Sequence, residues 1–357
     1  MTQDRLKELR VEIDAIDDRI LELLNRRAKA AIEVGSLKKE RSLRFYVPER
    51  EVEILRRLTD VNEGPFPNDG LKAIYREIIS ASLSLEKPLS VAFLGPQATF
   101  THLACLKHFG ESAEYVPQIN LSAVFDAVDR NAADFGVVPI ENSSEGIVSN
   151  TLDMFVDYNL LICGEILVEV AHDLLNVTGD IDHVRKVYSH PHAIAQCRGW
   201  LERNLREVPV FDVESTARAA ELAADDPAAA AIAGDAAAKI YGLKAIRKRI
   251  QDNTNNFTRF IILGRQESVR TGNDKTSILF ASRDEVGALF KMLEPFAKHN
   301  VNLTKIESRP VKTKAWEYLF FLDMSGHITD PPIAEALEDL KQRAQFIKIL
   351  GSYPRAI

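Results

Sequence analysis

Cysteine is scarce in this chain of 357 residues: Cys105, Cys163 and Cys197 are scattered, odd in number, and form no CxxC or other metal-ligand spacing. This excludes a disulfide framework and points to a reducing compartment, with the thiols as small buried side chains. No apolar run reaches the length that spans a membrane. The opening MTQDRLKELR is charged from its fourth residue and has no apolar stretch before a small-residue cleavage site, so a cytoplasmic location is expected. Positive charge is not in excess either, since the net charge is -7, which disfavours nucleic acid or an anionic membrane as partner. An anionic ligand must therefore meet locally concentrated Arg and Lys. The phosphate-loop pattern GxxxxGK[ST] is missing, and no nucleotide or other cofactor is implied. His172, His190 and His192 have no carboxylate or thiol recurring at ligand spacing, so no metal is expected.

What is present suits a soluble chain of two or three domains, with hydrophobic content of 46%. Leu6, Leu9, Ile13, Ile16, Ile20 and Leu23 alternate steps of three and four, and Ala30, Val34 and Leu37 keep the register. The pattern predicts one helix of roughly 35 residues with a coiled-coil-like seam. Phe45, Tyr46 and Pro48 break it; two shorter helices follow, one on Val52, Leu55, Leu58 and Val61, the other on Leu71, Ile74, Ile78 and Leu85. So long a helix cannot bury its seam against two short ones, which implies a dimer in which the long helices pair. After Lys87-Pro88 the texture changes to alternating strands and helices, with strands expected over 91–94, 135–139, 160–167, 186–189, 229–233 and 260–263. That is an α/β domain whose working residues belong in loops after strand ends. A polar linker over 266–275 precedes TSILFAS, a helix over 286–299, NLTKIESRP, EYLFFLDMSG, a helix over 332–345 and IKILGSYP. Their order, βαββαβ, predicts a ferredoxin-like module of about 80 residues.

In the seam of the first helix the core position after Leu23 is occupied by Arg27, and a buried Arg needs an anion. Arg10 and Lys38 flank the same stripe, and the third helix turns polar inward at Ser82 and Glu86. Snorkelling residues in intermolecular salt bridges are one reading. A pocket for a small dianion is the other. The pattern LR-x2-I-x2-ID-x2-I-x2-L, then RR-x6-VG-x2-K, then RE resembles the all-helical chorismate mutases over about the first 87 residues. The resemblance implies an intertwined dimer whose substrate-binding residues are Arg10, Arg27, Lys38, Val47 through its backbone, Arg50, Glu51, Ser82 and Glu86, with Arg10 crossing from the partner chain. A Claisen rearrangement needs no nucleophile and no proton transfer, only a held chair conformer and charge stabilisation at the breaking ether oxygen. Arginines clamp the two carboxylates, and Lys38 would donate to that oxygen. Glu86 stands where many relatives carry glutamine. A carboxyl replaces that amide donor only when protonated, so mutase activity is expected to rise toward acid pH.

Five turns of the second segment, GPQATFTHLA, VVPIENSSEG, SHPHAIAQC, ESTARAA and DNTNNFTRF, resemble prephenate dehydratase in the right order over roughly 90–265. Ala98 departs from the family at a place where Gly is usual, and His192 replaces a common Gln. The resemblance implies a bilobal domain in which Thr258 leads catalysis as a positioned hydrogen-bond donor or part of a relay. Glu141, Asn142, Ser143, Ser189, Gln196, Ser215 and Arg259 are the further prephenate-binding candidates, Arg259 for a carboxylate.

In the third segment VGALF and KIESRP resemble the ACT regulatory domains attached to prephenate dehydratases. By that resemblance phenylalanine binds between two ACT domains, on Gly287, Ala288, Leu289, Glu307, Ser308 and Arg309, and inhibits. The expected domains are 1–87, 90–265 and 276–354. Two other functions fit the same segments: an amino-acid sensor without chemistry, and a monofunctional dehydratase whose helices only dimerise. The first predicts loss of Thr258 or of the Arg and Lys set, and the second predicts loss of Arg10, Arg27, Lys38 and Glu51; all are present.

Overall fold

A computed structural model of the chain describes residues 2–41, 44, 46–144, 146–282, 285–310 and 318–356, with side chains from residue 4 onward. Phe45, Glu145 and Glu317, which belong to the break and motifs named above, lie outside the described residues. Two compact units emerge, Met1–Leu89 with Phe109–Glu114, and Ser90–His108 with Tyr115–Ile357.

The first unit holds three helices, α1 (Thr2–Glu40), α2 (Pro48–Asp60) and α3 (Asn68–Glu86). The seam predicted for α1 is real but uncovered within one chain: Leu6, Ile13, Ile16, Ile20 and Leu23 are each between 49% and 55% exposed. Pro48 opens α2 at its first turn, where a missing N–H goes unmissed. Where α1 meets α3, Gly35 makes close approach possible, because an added Cβ would stand 2.9 Å from Glu86 Cγ.

The second unit contains three sheets. The first runs in the order Glu114–Gln118, Ser90–Leu94, Phe135–Asn142, Phe257–Gly264, Leu161–Glu169, with the short Gly146–Ile147 paired to Phe135–Asn142. The second runs Lys244–Arg247, Asp173–Asn176, Ala229–Ala233, Lys186–Ser189, Val210–Asp212. These are the two lobes of an α/β domain, and the chain passes between them at residues 170–172 and returns over 248–256. All six expected strands are present, and the second lobe packs on small side chains, Ala217, Ala220, Ala231 and Ala233 among them. Ala98 adopts φ 65, a left-handed conformation that favours glycine and accounts for the residue usual at that place.

The third sheet, ordered Leu303–Pro310, Tyr318–Ser325, Asp274–Ala281, Phe346–Pro354, is antiparallel throughout and carries helices Ala288–Lys298 and Pro331–Lys341 on one face. Its order along the chain is the expected βαββαβ. The other face joins the core of the first lobe, where Leu279, Phe321, Leu350 and Tyr353 pack with Phe125, Ile140 and Leu263. Gly351 makes that contact possible, since an added Cβ would collide with the Ile162 carbonyl oxygen.

Candidate functional site

Within the first unit, α1 and α3 present four of the expected polar groups to one another. Arg27 Nη1 donates to Ser82 Oγ and, at 3.3 Å, to the Ile78 carbonyl. Eleven residues further along α1, Lys38 Nζ meets Glu86 Oε2 at 2.8 Å, with the Glu86 side chain 7% exposed. The lysine stands as the partner of the Glu86 carboxyl across the two helices. On α2, burial pushes the Glu51 carboxyl up to about 8, the Arg76 charge opposing only part of the effect. Val47 precedes α2 as its N-cap, and its carbonyl accepts from the Arg50 N–H at 3.0 Å. Arg50 is spent on an exposed pair with Glu53 at 2.6 Å. Arg10 lies seventeen residues before Arg27 on the same straight helix, roughly 25 Å away at the helical rise. It cannot reach the Arg27 site of its own chain.

Between the lobes of the second unit a different site forms. Asn142 ends one strand and Thr258 stands second in its neighbour, and the register pairs them directly. Asn142 Nδ2 donates to Thr258 Oγ1 at 2.8 Å and to Asn256 Oδ1 at 2.9 Å. Asn256 Nδ2 in turn donates to Gln196 Oε1 at 2.9 Å, and the same oxygen meets His172 Nε2 at 2.9 Å. Thus Asn142, Gln196 and Thr258 are brought together as the sequence suggested. Asn256 and His172 were missed as site residues, although Asn256 lies within the quoted DNTNNFTRF and, two before Thr258, shares its side of an extended chain.

Other candidates do structural work. Ser143 Oγ donates to the Asn255 carbonyl and accepts from the Phe257 N–H, bracing the returning loop. Ser189 is fully buried and donates to the Ile232 carbonyl at 2.7 Å. Ser215 caps helix Thr216–Ala224 by accepting from the Arg218 N–H. Glu141 pairs with Lys305 at 2.7 Å.

Arg259 overturns the carboxylate-binding expectation by its direction. Successive residues of a strand face opposite ways, so with Thr258 toward the cleft Arg259 points inward. Its Nε meets Glu165 at 2.7 Å, Nη1 meets Asp323 at 2.6 Å, and Nη2 donates to the Tyr353 hydroxyl at 2.9 Å. Burial by itself would lower the guanidinium pKa, but Tyr353, Asp323 and Glu165 together hold it above its ordinary value. Each of its three nitrogens is thus engaged by a buried partner within the chain.

The same alternation splits the expected phenylalanine set. Ser308 lies opposite Phe320 on the helix-bearing face, while Glu307 lies opposite Phe321 on the face toward the first lobe. Arg309 also faces the lobe, donating to Ser149 Oγ at 2.8 Å and pairing with Asp153 at 3.3 Å. Gly287, at φ 77, sets the start of helix Ala288–Lys298, beside which Leu289 is 40% and Phe290 71% exposed. Gly287, Ala288, Leu289 and Ser308 therefore share one side of the sheet, and Glu307 and Arg309 do not.

Three family models match in succession: chorismate mutase type II over residues 9–87, prephenate dehydratase over 91–268, and the ACT domain over 276–342. The chain is 52% identical to the bifunctional chorismate mutase/prephenate dehydratase of Aquifex aeolicus, covering 99% of each chain. It is 30% identical to the protein of that name from Escherichia coli strain K12, over 99% of this chain and 97% of the other. Among solved structures, the prephenate dehydratase of Arthrobacter aurescens in complex with L-Phe superimposes with a TM-score of 0.70 at 36% identity, over 75% of this chain and 90% of that one.

Proposed function

This chain belongs to the family of bifunctional chorismate mutase/prephenate dehydratases, and from that premise we propose which of its residues carry each activity. It rearranges chorismate to prephenate, converts prephenate to phenylpyruvate, and is feedback-inhibited by phenylalanine through the ACT domain. We take the domains as 1–87, 90–265 and 276–354.

For the mutase, Arg27 and Lys38 receive the substrate, with Ser82, Glu51, Glu86, the Val47 backbone and Arg50 around it and Arg10 supplied by a second chain. Chorismate carries two carboxylates, and its entry offers Lys38 and Arg27 a better-matched anion than Glu86 and Ser82 do. Lys38 then turns to the ether oxygen as the C–O bond breaks and the new C–C bond forms. The exposed seam of α1 supports a homodimer, because five half-exposed apolar side chains in one stripe need a partner. A cytoplasmic location accords with three buried cysteines that form no disulfide among the described residues, and among the same residues no helix is long and apolar enough to cross a membrane.

For the dehydratase, Thr258 is the catalytic hydroxyl. The observation that carries this is its place at the end of the amide line Gln196, Asn256, Asn142. Because Thr258 Oγ1 accepts from Asn142, its own hydrogen is available to the departing ring hydroxyl. The ring C–O bond breaks with its pair leaving as hydroxide, the ring carboxylate departs as carbon dioxide, and the electron pair of that C–C bond completes the aromatic ring. Asn142 and Gln196 are the further polar groups at the prephenate site, with Ser143, Ser189 and Ser215 framing it. Arg259 is not retained as a carboxylate ligand. In the ACT domain we propose Gly287, Ala288, Leu289 and Ser308 as the phenylalanine contacts, with Glu307 and Arg309 tying that sheet to the dehydratase.

The test is to feed chorismate alone to purified protein and follow both steps. Prephenate should appear and give way to phenylpyruvate, and added phenylalanine should slow only the second product. Accumulation of prephenate without phenylpyruvate would refute the dehydratase assignment.

A further inference from the structure

The polar line that ends at Thr258 has a direction, and one backbone group fixes it. The Ser144 N–H, which can only donate, meets Asn142 Oδ1 at 2.9 Å, so Nδ2 must be the end of that amide facing Asn256 and Thr258. Asn256 then turns its oxygen to Asn142 and its Nδ2 to Gln196, whose Oε1 accepts. An accepting oxygen at 2.9 Å requires a hydrogen on His172 Nε2. The line is thus anchored at both ends, by Ser144 in the first lobe and by His172 on the segment that passes between lobes.

His172 is built to hold still. It is 3% exposed; its N–H donates to Gln251 Oε1 at 3.0 Å, its carbonyl accepts from the Ile250 N–H at 2.7 Å, and its ring stands edge-on to Phe100 at 5.5 Å between centroids. Gln196 belongs to the second lobe, in helix Pro191–Gln196, and has a side-chain amide that rotates freely unless both its acceptor and donor ends are told apart. Two donors converging on Oε1, from His172 and Asn256, do that.

We propose that His172 is a positioning residue for the dehydratase: while Ser144 fixes the Asn142 end, the His172 Nε2–H holds the Gln196 amide at the other end, which keeps Asn256 braced against Asn142 and so holds Asn142 and Thr258 in place for the substrate. This rests on Thr258 being the hydroxyl that serves the reaction. Without the His172 donor the Gln196 oxygen keeps only Asn256 of these two donors, and the end of the line away from Ser144 is held less firmly.

Prephenate turnover by His172→Phe and His172→Gln tests this, with Thr258→Ala alongside and mutase rate on each preparation as the check of folding. Phe keeps the ring against Phe100 but has no donor; Gln places an amide N–H near the former Nε2. We expect His172→Phe to lower kcat about 10- to 100-fold, as loss of a supporting hydrogen bond to a catalytic group does, with KM changed by less than about threefold. His172→Gln should recover most of that loss. If Phe is not tolerated, His172→Asn, whose shorter amide stops short of Gln196, takes its place and should show the same loss. Equal losses in the Gln and Phe (or Asn) variants, an unchanged kcat, or an effect confined to KM would overturn the proposal. Should Thr258→Ala keep full activity, the reading of Thr258 falls and this inference with it; should Thr258→Ala be inactive and His172→Phe normal, only the role of His172 fails.

Discussion

Removing Asp323 gives the sharpest expectation about stability, because it is fully buried where the ACT sheet meets the dehydratase. Its two oxygens are used: one meets Arg259 Nη1 at 2.6 Å and the other accepts from Ser277 Oγ at 2.5 Å. In Asp323→Ala the guanidinium stays buried, left with the neutral Tyr353 hydroxyl, a distant Glu141 at 3.7 Å, and Glu165, which Lys275 already engages at 2.6 Å. Breaking a buried pair by deleting one partner costs about 3–5 kcal/mol. With roughly 2–4 °C per kcal/mol for a unit of this size, the melting transition of the dehydratase and ACT unit should drop by roughly 6–20 °C. Arg259→Met combined with Asp323→Leu should restore much of that, since Glu165 keeps Lys275 and no unpaired charge remains. Differential scanning calorimetry of the three proteins decides it. A transition in Asp323→Ala within about 2 °C of wild type would refute the idea that this cluster holds the two sheets together. So would a double variant no more stable than the single.

Glu51, raised to about 8 by burial, is neutral below that pH and ionised above it. Mutase kcat/KM for the dianionic substrate should therefore fall as pH rises through about 8, and Glu51→Gln should flatten the profile; a wild-type profile level to pH 9 would contradict it. The linkage has the matching sign, since a carboxyl with a raised folded pKa binds protons more tightly folded than unfolded, and its effect on stability worsens from about 4.5 upward to 8. At Gly35, an added Cβ would press on Glu86 Cγ at 2.9 Å, so Gly35→Ala should cost about 1–3 kcal/mol and lower mutase rate while leaving dehydratase rate unchanged. Equal mutase rates would show that α1 and α3 have room to adjust.

Much of the fold was legible because its elements obey simple periods. The seam of α1, the alternating β-branched strands and the order of the last module could each be read from spacing. Besides the two-residue Gly146–Ile147, four strands among the described residues escaped: Glu114–Gln118, Asp173–Asn176, Val210–Asp212 and Lys244–Arg247. They have three to five residues; Val210–Asp212 is exposed throughout, and the rest mix charge or amides into the run, so no apolar pattern announces them. In the site, Thr258 and Asn142 could be identified from motifs, but motifs do not say which way a side chain points. Reading Thr258 and Arg259, or Glu307 and Ser308, as neighbours in one pocket ignored the twofold alternation of a strand, a rule available from the sequence itself. His172 carried less signal. Weighed as a metal ligand, it is a hydrogen-bond donor whose partner lies 24 positions away, a pairing that no spacing discloses.

The central claim is that one chain carries two chemically separate sites, and it is tested most directly by assaying Arg27→Ala and Thr258→Ala for chorismate loss and phenylpyruvate formation from prephenate. The account expects Arg27→Ala to lose about 100-fold or more of the first activity and keep the second, and Thr258→Ala to do the reverse. Loss of both activities in either variant, with the fold intact, would contradict it.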